Sequence, residues 1–316
     1  MEALKKKITE QRDIKENSLN IYVSNIRLLF NRSGEGDMND FSLDFLNDME
    51  KIKTLIDGFK LATQKNYLAA ILVVLDTDDK LKELHQKYVV WYEKVHNQYI
   101  EDYENGEKSK TQEDNWTTLN ELRKVMNDLY KDIKSREILK KDVLNKPQLM
   151  LLQKYVICNL FLNEDNPPTR LDYAPMEMIG WKQFLDLEDS EKREHNYLVI
   201  KSRNIKFFSF NEYKTSNKYG QNDIRVGKKL NSVLNIWLKY NLTDSLLLNT
   251  RGKPMAANGL GKELKSIFKV TGKNISVNML RHIYISEKYP NEDLNKQEDA
   301  TKMGHSVETQ SKYSKR

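Results

Sequence analysis

The sequence predicts a mainly α protein with a small three-stranded β-sheet, organised as two domains. Three observations carry that expectation. Apolar residues recur at helical spacing through most of the chain, as in Leu19, Tyr22, Val23, Ile26, Leu29 and Phe30. Short β-rich runs occur in one region only, at residues 197–200, 205–210 and 223–226. A polar, acidic stretch at residues 101–115, interrupted by Gly106, has no apolar period and reads as a connection. The expected division is a helical domain over residues 1–105, a linker over 106–115 and a second domain over 116–316.

Four helical blocks are expected in the first domain. The first covers residues 18–30 with Ser18 as cap, before a break over residues 31–36. The second spans residues 41–59, closed near Gly58. A third starts at Thr63 as cap, and a fourth covers residues 81–100. In the second domain, Thr118-Leu119-Asn120-Glu121 is a capping box opening a helix to about residue 130. Residues 148–162 form a nearly all-apolar helix, and the following Asn166-Pro167-Pro168-Thr169-Arg170 stops it and fixes the approach to Arg170. After the three strands, joined by turns around Asn204 and residues 214–220, helices resume at 230–240 and 259–270. Gly272 then closes the last of these and Ser276 caps another. That final helix carries Asn278, Arg281 and His282 on one face, with Leu280, Ile283 and Tyr284 turned toward a core.

Composition narrows the function classes. The longest apolar run, residues 68–75, is too short to span a bilayer, and no apolar stretch follows the Lys5-Lys6-Lys7 cluster, so no secretory signal is expected. One cysteine, Cys158, excludes an internal disulfide, fits a reducing compartment and reads as a small buried hydrophobe. The net charge of +6 is uneven: −5 over residues 1–115, −1 over 116–200 and +12 over 201–316. A basic final third suits a polyanion, and nucleic acid is the commonest one.

The motifs sharpen this. Leu280-Arg281-His282 on a helix, then Met303-Gly304-His305-Ser306, then Tyr313 eight residues past that histidine, together resemble the C-terminal motif of the tyrosine recombinases, the phage-type integrases. Pro167-Pro168-Thr169-Arg170-Leu171-Asp172-Tyr173 looks like that family's first-arginine box, in a form similar to integrases of large DNA viruses and virophages. Tyr213-Lys214-Thr215 resembles its hairpin lysine, and two amphipathic helices of the first domain resemble its core-binding domain. The resemblance implies a helical DNA-clamp domain and an α+β catalytic domain acting on double-stranded DNA as a homotetramer, inside a cell, in the host nucleus or a viral replication compartment.

It also implies a set of roles. Arg170 and Arg281 clamp the non-bridging oxygens of the scissile phosphate, for which a planar, permanently charged fork is suited. Lys214 protonates the departing 5′ oxygen, with Lys218 as rival. His305 hydrogen-bonds a non-bridging oxygen, and Tyr313 attacks to form a 3′-phosphotyrosyl link. Asn278 stands where the family usually has histidine and cannot accept a proton, so the general base is open. Asp172 follows Arg170 by two positions where an acid at three is usual. No Walker-type loop and no metal-ligand spacing is present, in line with a reaction needing neither metal nor ATP. A type IB topoisomerase and a DNA-binding relative without cleavage are the alternatives. Along an unbroken helix Tyr313 would stand roughly 12 Å from His305, so a helix break or a tail must bring it in, and it is expected on a mobile piece displaced when DNA is absent. Lys214 is expected on a mobile turn.

Overall fold

A computed structural model of the chain describes residues 1–34, 37–165, 167–289 and 296–315. It divides into two compact units, Met1–Asn105 and Gly106–Arg316. Glu35 and Gly36 of the expected first break, and Asn166 of the arginine box, lie outside the described residues. No described helix is long and apolar enough to cross a membrane.

The first unit is helical: α1 (Glu2–Gln11), α2 (Glu16–Ser33), α3 (Met49–Ile56), α4 (Leu61–Leu75) and α5 (Lys82–Glu104). Its core is the set of periodic positions, among them Ile8, Ile26, Leu29, Leu46, Ile52, Leu68, Ile71 and Tyr88. Neither Ser18 nor Thr63 is a cap. Helix α2 starts after Lys15 and α4 after Lys60, without a capping side chain. Packing of the apolar face sets these ends, which propensity alone only biases. The block expected over residues 41–59 is a 3-10 turn, Leu43–Asn47, followed by α3, with another 3-10 turn, Met38–Asp40, just before it.

In the second unit the expected linker is partly helical. Ser109 and Gln112 form a capping box on α6 (Lys110–Asn115), whose end is held by Lys273 Nζ on the Asp114 carbonyl at 2.9 Å and by the Asn274 amide on Asn115 Oδ1 at 2.7 Å. Helix α7 (Leu119–Ser135) begins on the Thr118/Glu121 box and α8 (Lys146–Leu162) on an Asn145/Gln148 box. Buried Val156, Ile157, Leu160 and Phe161 make α8 the centre of this unit's core.

The sheet has four strands, where three were expected. Strand β1 (Met176–Gly180) precedes α9 (Trp181–Asp186) and α10 (Asp189–Glu194). Then come β2 (Asn196–Ile200), β3 (Lys206–Phe210), α11 (Ser216–Tyr219) and β4 (Asn222–Arg225). The order is β1-β2-β3-β4, with β1 parallel to β2 and the other pairs antiparallel. Strand β1 escapes the sequence pattern because only its first residue is buried and it stands at the edge of the sheet. Helices α12 (Lys228–Tyr240), α13 (Ala257–Phe268), α14 (Val277–Lys288), α15 (Lys296–Lys302) and α16 (Val307–Ser311) complete the chain. As expected, Gly272 is left-handed (φ 72°) and Ser276 caps α14, its hydroxyl accepting from the Met279 amide at 3.2 Å.

Candidate active site

The site is assembled from four segments that the fold ties together. Arg170 follows Pro167 and Pro168 out of α8. Its segment is fixed from behind by Tyr173, a buried ring set edge-on against Phe161, Phe208 and Phe210 at centroid distances of 5.0–5.6 Å. Asn196, at the start of β2, joins this segment to the end of β3. Its amide donates to the carbonyls of Asp172 (3.1 Å) and Glu212 (2.8 Å), and its oxygen accepts from the backbone amides of Asn211 and Glu212. Every hydrogen-bonding position of this buried side chain is used. Nothing in the sequence singled out Asn196; a lone Asn opening a strand is a weak signal.

The β3–β4 connection docks in turn on the Gly-His-Ser turn. Thr215 Oγ1 donates to the Gly304 carbonyl at 2.5 Å, Asn222 donates to the Thr301 carbonyl, and the Tyr213 ring lies 3.0 Å from where a Cβ on Gly304 would sit. Gly304 also has φ +68°, so two independent constraints demand glycine there. The turn bearing Lys214 is therefore an anchored structure with a short helix, whereas a mobile one was expected. Lys214 and its rival Lys218 both point into solvent, and Lys218 lies over the Tyr219 ring. A third lysine of this hairpin, Lys206, is buried. It donates to the Arg203 carbonyl, Asn231 Oδ1 and Asn235 Oδ1, which commits all three of its N–H bonds to structure.

Arg281 departs most from expectation. It lies on α14 as anticipated, yet it is fully buried, at 0% exposure, while Asn278 one turn earlier is exposed. The nitrogens Nε, Nη1 and Nη2 of Arg281, Nη1 of Arg170 and Nε2 of His305 are buried and have no hydrogen-bond partner among the described residues. Burial pulls the Arg281 guanidinium down to about 10, opposed by Tyr313, reinforced by Arg170 and opposed again by Asp172; it remains a cation at neutral pH. Burial raises the Asp172 carboxyl, against the charges of Arg170 and Arg281. Arg170, Asp172 and Arg281 therefore share one electrostatic environment.

His305 is held by its backbone amide on the Ala300 carbonyl and by Nδ1, 3.1 Å from the Ser306 carbonyl. A carbonyl only accepts, so Nδ1 carries the proton and Nε2 a lone pair. Burial pushes the ring down to about 4, the Ser306 bond opposes this, and Arg281 and Arg170 add to it. The imidazole is thus neutral at pH 7. Helix α15, which precedes it, is pinned to α14 and its C-cap by one buried carboxylate: Asp299 Oδ2 accepts from Tyr284 (2.8 Å), Lys288 (2.5 Å) and Tyr289 (2.7 Å). Burial acts to raise that carboxyl, and the three donors outweigh it and hold it below the usual range.

Tyr313 is brought in by the end of α16 at Ser311, the break that helix geometry requires. Its ring stacks on His305 (5.6 Å, 23°), meets His282 at 4.9 Å and covers the Arg281 guanidinium at 4.7 Å. The expectation of a displaced tyrosine is thereby corrected: burial of the ring edge, a cation beneath it and two imidazoles beside it favour docking over solvent. Arg170, Asp172, Arg281, His305 and Tyr313 converge on one site; Lys214 is exposed on the turn that Thr215 docks against Gly304, and Asn278 is exposed on α14.

With this geometry in place, comparison with known proteins gives a consistent picture of the fold. No protein-family model and no curated protein matches the sequence. Among solved structures, a lambda integrase (75-356) dimer bound to a COC′ core site is similar at TM-score 0.53 and 16% identity, over 97% of this chain and 91% of that one. XerH site-specific recombinase bound to difH substrate, in a pre-cleavage complex, is similar at 0.51 and 15%, over 100% and 82%. The fold is that of the tyrosine recombinases. XerA recombinase aligns over 98% and 91% of the two chains at 11% identity and TM-score 0.40. The first two are likenesses of architecture alone, and in this chain that architecture is mainly helical with a small mixed sheet.

Proposed function

We propose that the protein is a site-specific DNA recombinase or integrase that cuts and rejoins duplex DNA through a 3′-phosphotyrosyl intermediate. One observation carries the reading: buried guanidinium nitrogens of Arg170 and Arg281, lacking acceptors among the described residues, and the unpartnered Nε2 of His305 gather beside a tyrosine phenol. Buried charged donors without acceptors are costly, by several kcal/mol on the order-of-magnitude scale, and a tetrahedral oxyanion is the ligand that offsets such a cost at two guanidinium groups. The integrase-like fold and the basic final third of the chain support the same ligand class.

The arrangement suggests how the chemistry proceeds. The two arginines bind the non-bridging oxygens of the scissile phosphate and stabilise the charge that develops there. Asn278 is an amide and cannot take a proton, so the role of proton acceptor falls to His305, whose ring stacks on Tyr313. Its Nε2 lone pair takes the Tyr313 proton as the phenol oxygen attacks phosphorus, and the resulting imidazolium donates back to a phosphate oxygen. The bound anion raises the histidine's proton affinity when it is needed. Lys214 supplies a proton to the departing 5′ oxygen, and the phosphotyrosyl bond keeps the energy of the broken linkage for rejoining. The helical first unit serves as the DNA clamp, the unit from about residue 116 as the catalytic domain, and a homotetramer on two DNA segments as the active assembly, inside a cell or viral compartment where its DNA lies.

Nicked suicide duplexes tiling the DNA that flanks the gene provide the test. A covalent protein–DNA adduct confined to one sequence, and absent with Tyr313→Phe, is expected. An adduct with no sequence preference together with supercoil relaxation points to a topoisomerase, and DNA binding with no adduct on any duplex refutes cleavage altogether.

A further inference from the structure

Helix α14 holds the Tyr313 segment by its backbone as well as by its ring. His282 Nδ1 stands 3.0 Å from the Tyr313 carbonyl, and because a carbonyl only accepts, His282 is the donor. Two residues on, the Lys315 amide donates to Ser286 Oγ at 2.8 Å. His282 and Ser286 are four residues apart, on one face of α14, so they grip the chain on either side of residue 314 with a spacing set by the helix. Arg281, from the same helix and adjacent to His282, lies against the Tyr313 ring. The tyrosine, the guanidinium and both anchors therefore share one rigid element.

A conflict follows. The Tyr313 ring covers the Arg281 guanidinium, which in the proposed reaction must receive phosphate oxygens. Either the whole tail leaves when DNA arrives, or the ring alone turns aside. The two backbone bonds involve no atom of the phenol, so rotation about χ1 and χ2 uncovers Arg281 without breaking either. Cation–π contact at a partly exposed ring contributes only about 0.5–2 kcal/mol, which two charged hydrogen bonds from Arg281 to a phosphate exceed.

We infer that His282 and Ser286 are positioning residues that clamp the backbone of residues 313–315 to α14, so that phosphate entry swings the Tyr313 ring and leaves its main chain in place. The inference rests on the recombinase reading for its purpose but not for its test. His282 keeps its donor whatever the pH, since Nδ1 carries a proton in both this neutral tautomer and the imidazolium. The groups facing it are Tyr313, Arg281 and Lys315; burial, opposed by the Tyr313 carbonyl and aided by the two cations, places its own titration at about 4.

Hydrogen exchange of the C-terminal peptide of the full chain decides the matter, measured free and with a nicked duplex bound. In the free protein the amides after residue 311 are expected to be protected, and His282→Phe with Ser286→Ala is expected to increase their exchange at least tenfold with the melting temperature of the rest unchanged. His282→Asn, whose side-chain amide can donate across a similar distance, is expected to restore most of the protection. Bound DNA is expected to leave it intact. Protection unaffected by the double variant, or lost on DNA binding, overturns the clamp. A second readout on the same samples is the rate of adduct formation at saturating DNA: a drop of 10-fold or more in the double variant, with DNA affinity unchanged and rescue by His282→Asn, is expected, and an unchanged rate overturns the positioning role. If the wild-type chain forms no adduct, the recombinase reading falls, while the exchange data still decide the clamp.

Discussion

At the scale of single residues, Arg281 is the molecule's main expense. A guanidinium at 0% exposure whose three nitrogens have no hydrogen-bond partner among the described residues costs the fold stability, which the Tyr313 ring against it offsets only in part. Arg281→Met, close in volume and free of donors, is expected to raise the melting temperature by a few degrees, consistent with about 1–3 kcal/mol, while lowering adduct formation by on the order of 10²–10³ or more. Sulfate is expected to stabilise the native protein and not this variant, since an anion that binds only the folded state raises its melting point by mass action; thermal scans with and without sulfate check both points. Acid should act through the imidazoles. His282 and His305 fall from the usual 6.5 to about 4 on folding, so between those pH values the unfolded chain binds more protons and stability drops as pH falls. The raised carboxyl of Asp172 works in the opposite direction nearer its own titration. Melting curves from pH 7 to 4 should show the decline, and His282→Phe/His305→Phe should flatten it. These residues were mostly visible in the sequence as a pattern, but their burial was not. On a helix Asn278 and Arg281 stand about 60° apart, and the edge of the core runs between them, a line drawn by neighbours that spacing does not name. Asn196, which links the Arg170 segment to the end of β3, left no trace in the pattern at all.

Among the elements, the docking of the β3–β4 connection on the Gly-His-Ser turn can be tested through glycine. Gly272 and Gly304 are both left-handed, but a Cβ at Gly272 meets nothing within 4 Å whereas at Gly304 it meets the Tyr213 ring. Gly272→Ala should therefore cost only the left-handed conformation, about 1–2 kcal/mol. Gly304→Ala should cost more, and should slow adduct formation where Gly272→Ala does not, because it pushes on the turn that carries both His305 and, across the contact, Lys214. Helix α7 with its capping box, α8 with its long apolar run and α14 with its cap and amphipathic face were legible from their residues alone, although the Asn145/Gln148 box that starts α8 was not read. Strand β1 and the starts of α2 and α4 were not, since an edge strand with one buried residue has too little pattern and packing can set a helix end without a cap.

For the molecule as a whole, the two compact units each have their own core, one built on α2, α4 and α5 and the other on α8 and the sheet. Scanning calorimetry is expected to resolve two transitions, with the Gly304→Ala and Arg281→Met effects confined to one of them; a single transition shifted as a unit by both would show that the cores unfold together. The general architecture followed from the sequence, because helical periodicity is long-ranged and the β-rich runs are confined to one region. The convergence of Arg170, Arg281 and Tyr313 did not follow from spacing, since over a hundred positions separate the first two and only the folded chain can bring them together. Cys158 offers a last, practical consequence. It is the one thiol in 316 residues, wholly enclosed within α8, and burial further suppresses its ionisation. The native surface is accordingly silent toward maleimide dyes, and a single reporter installed by Ser314→Cys would light only the tail, giving direct sight of whether that tail stays put as DNA arrives.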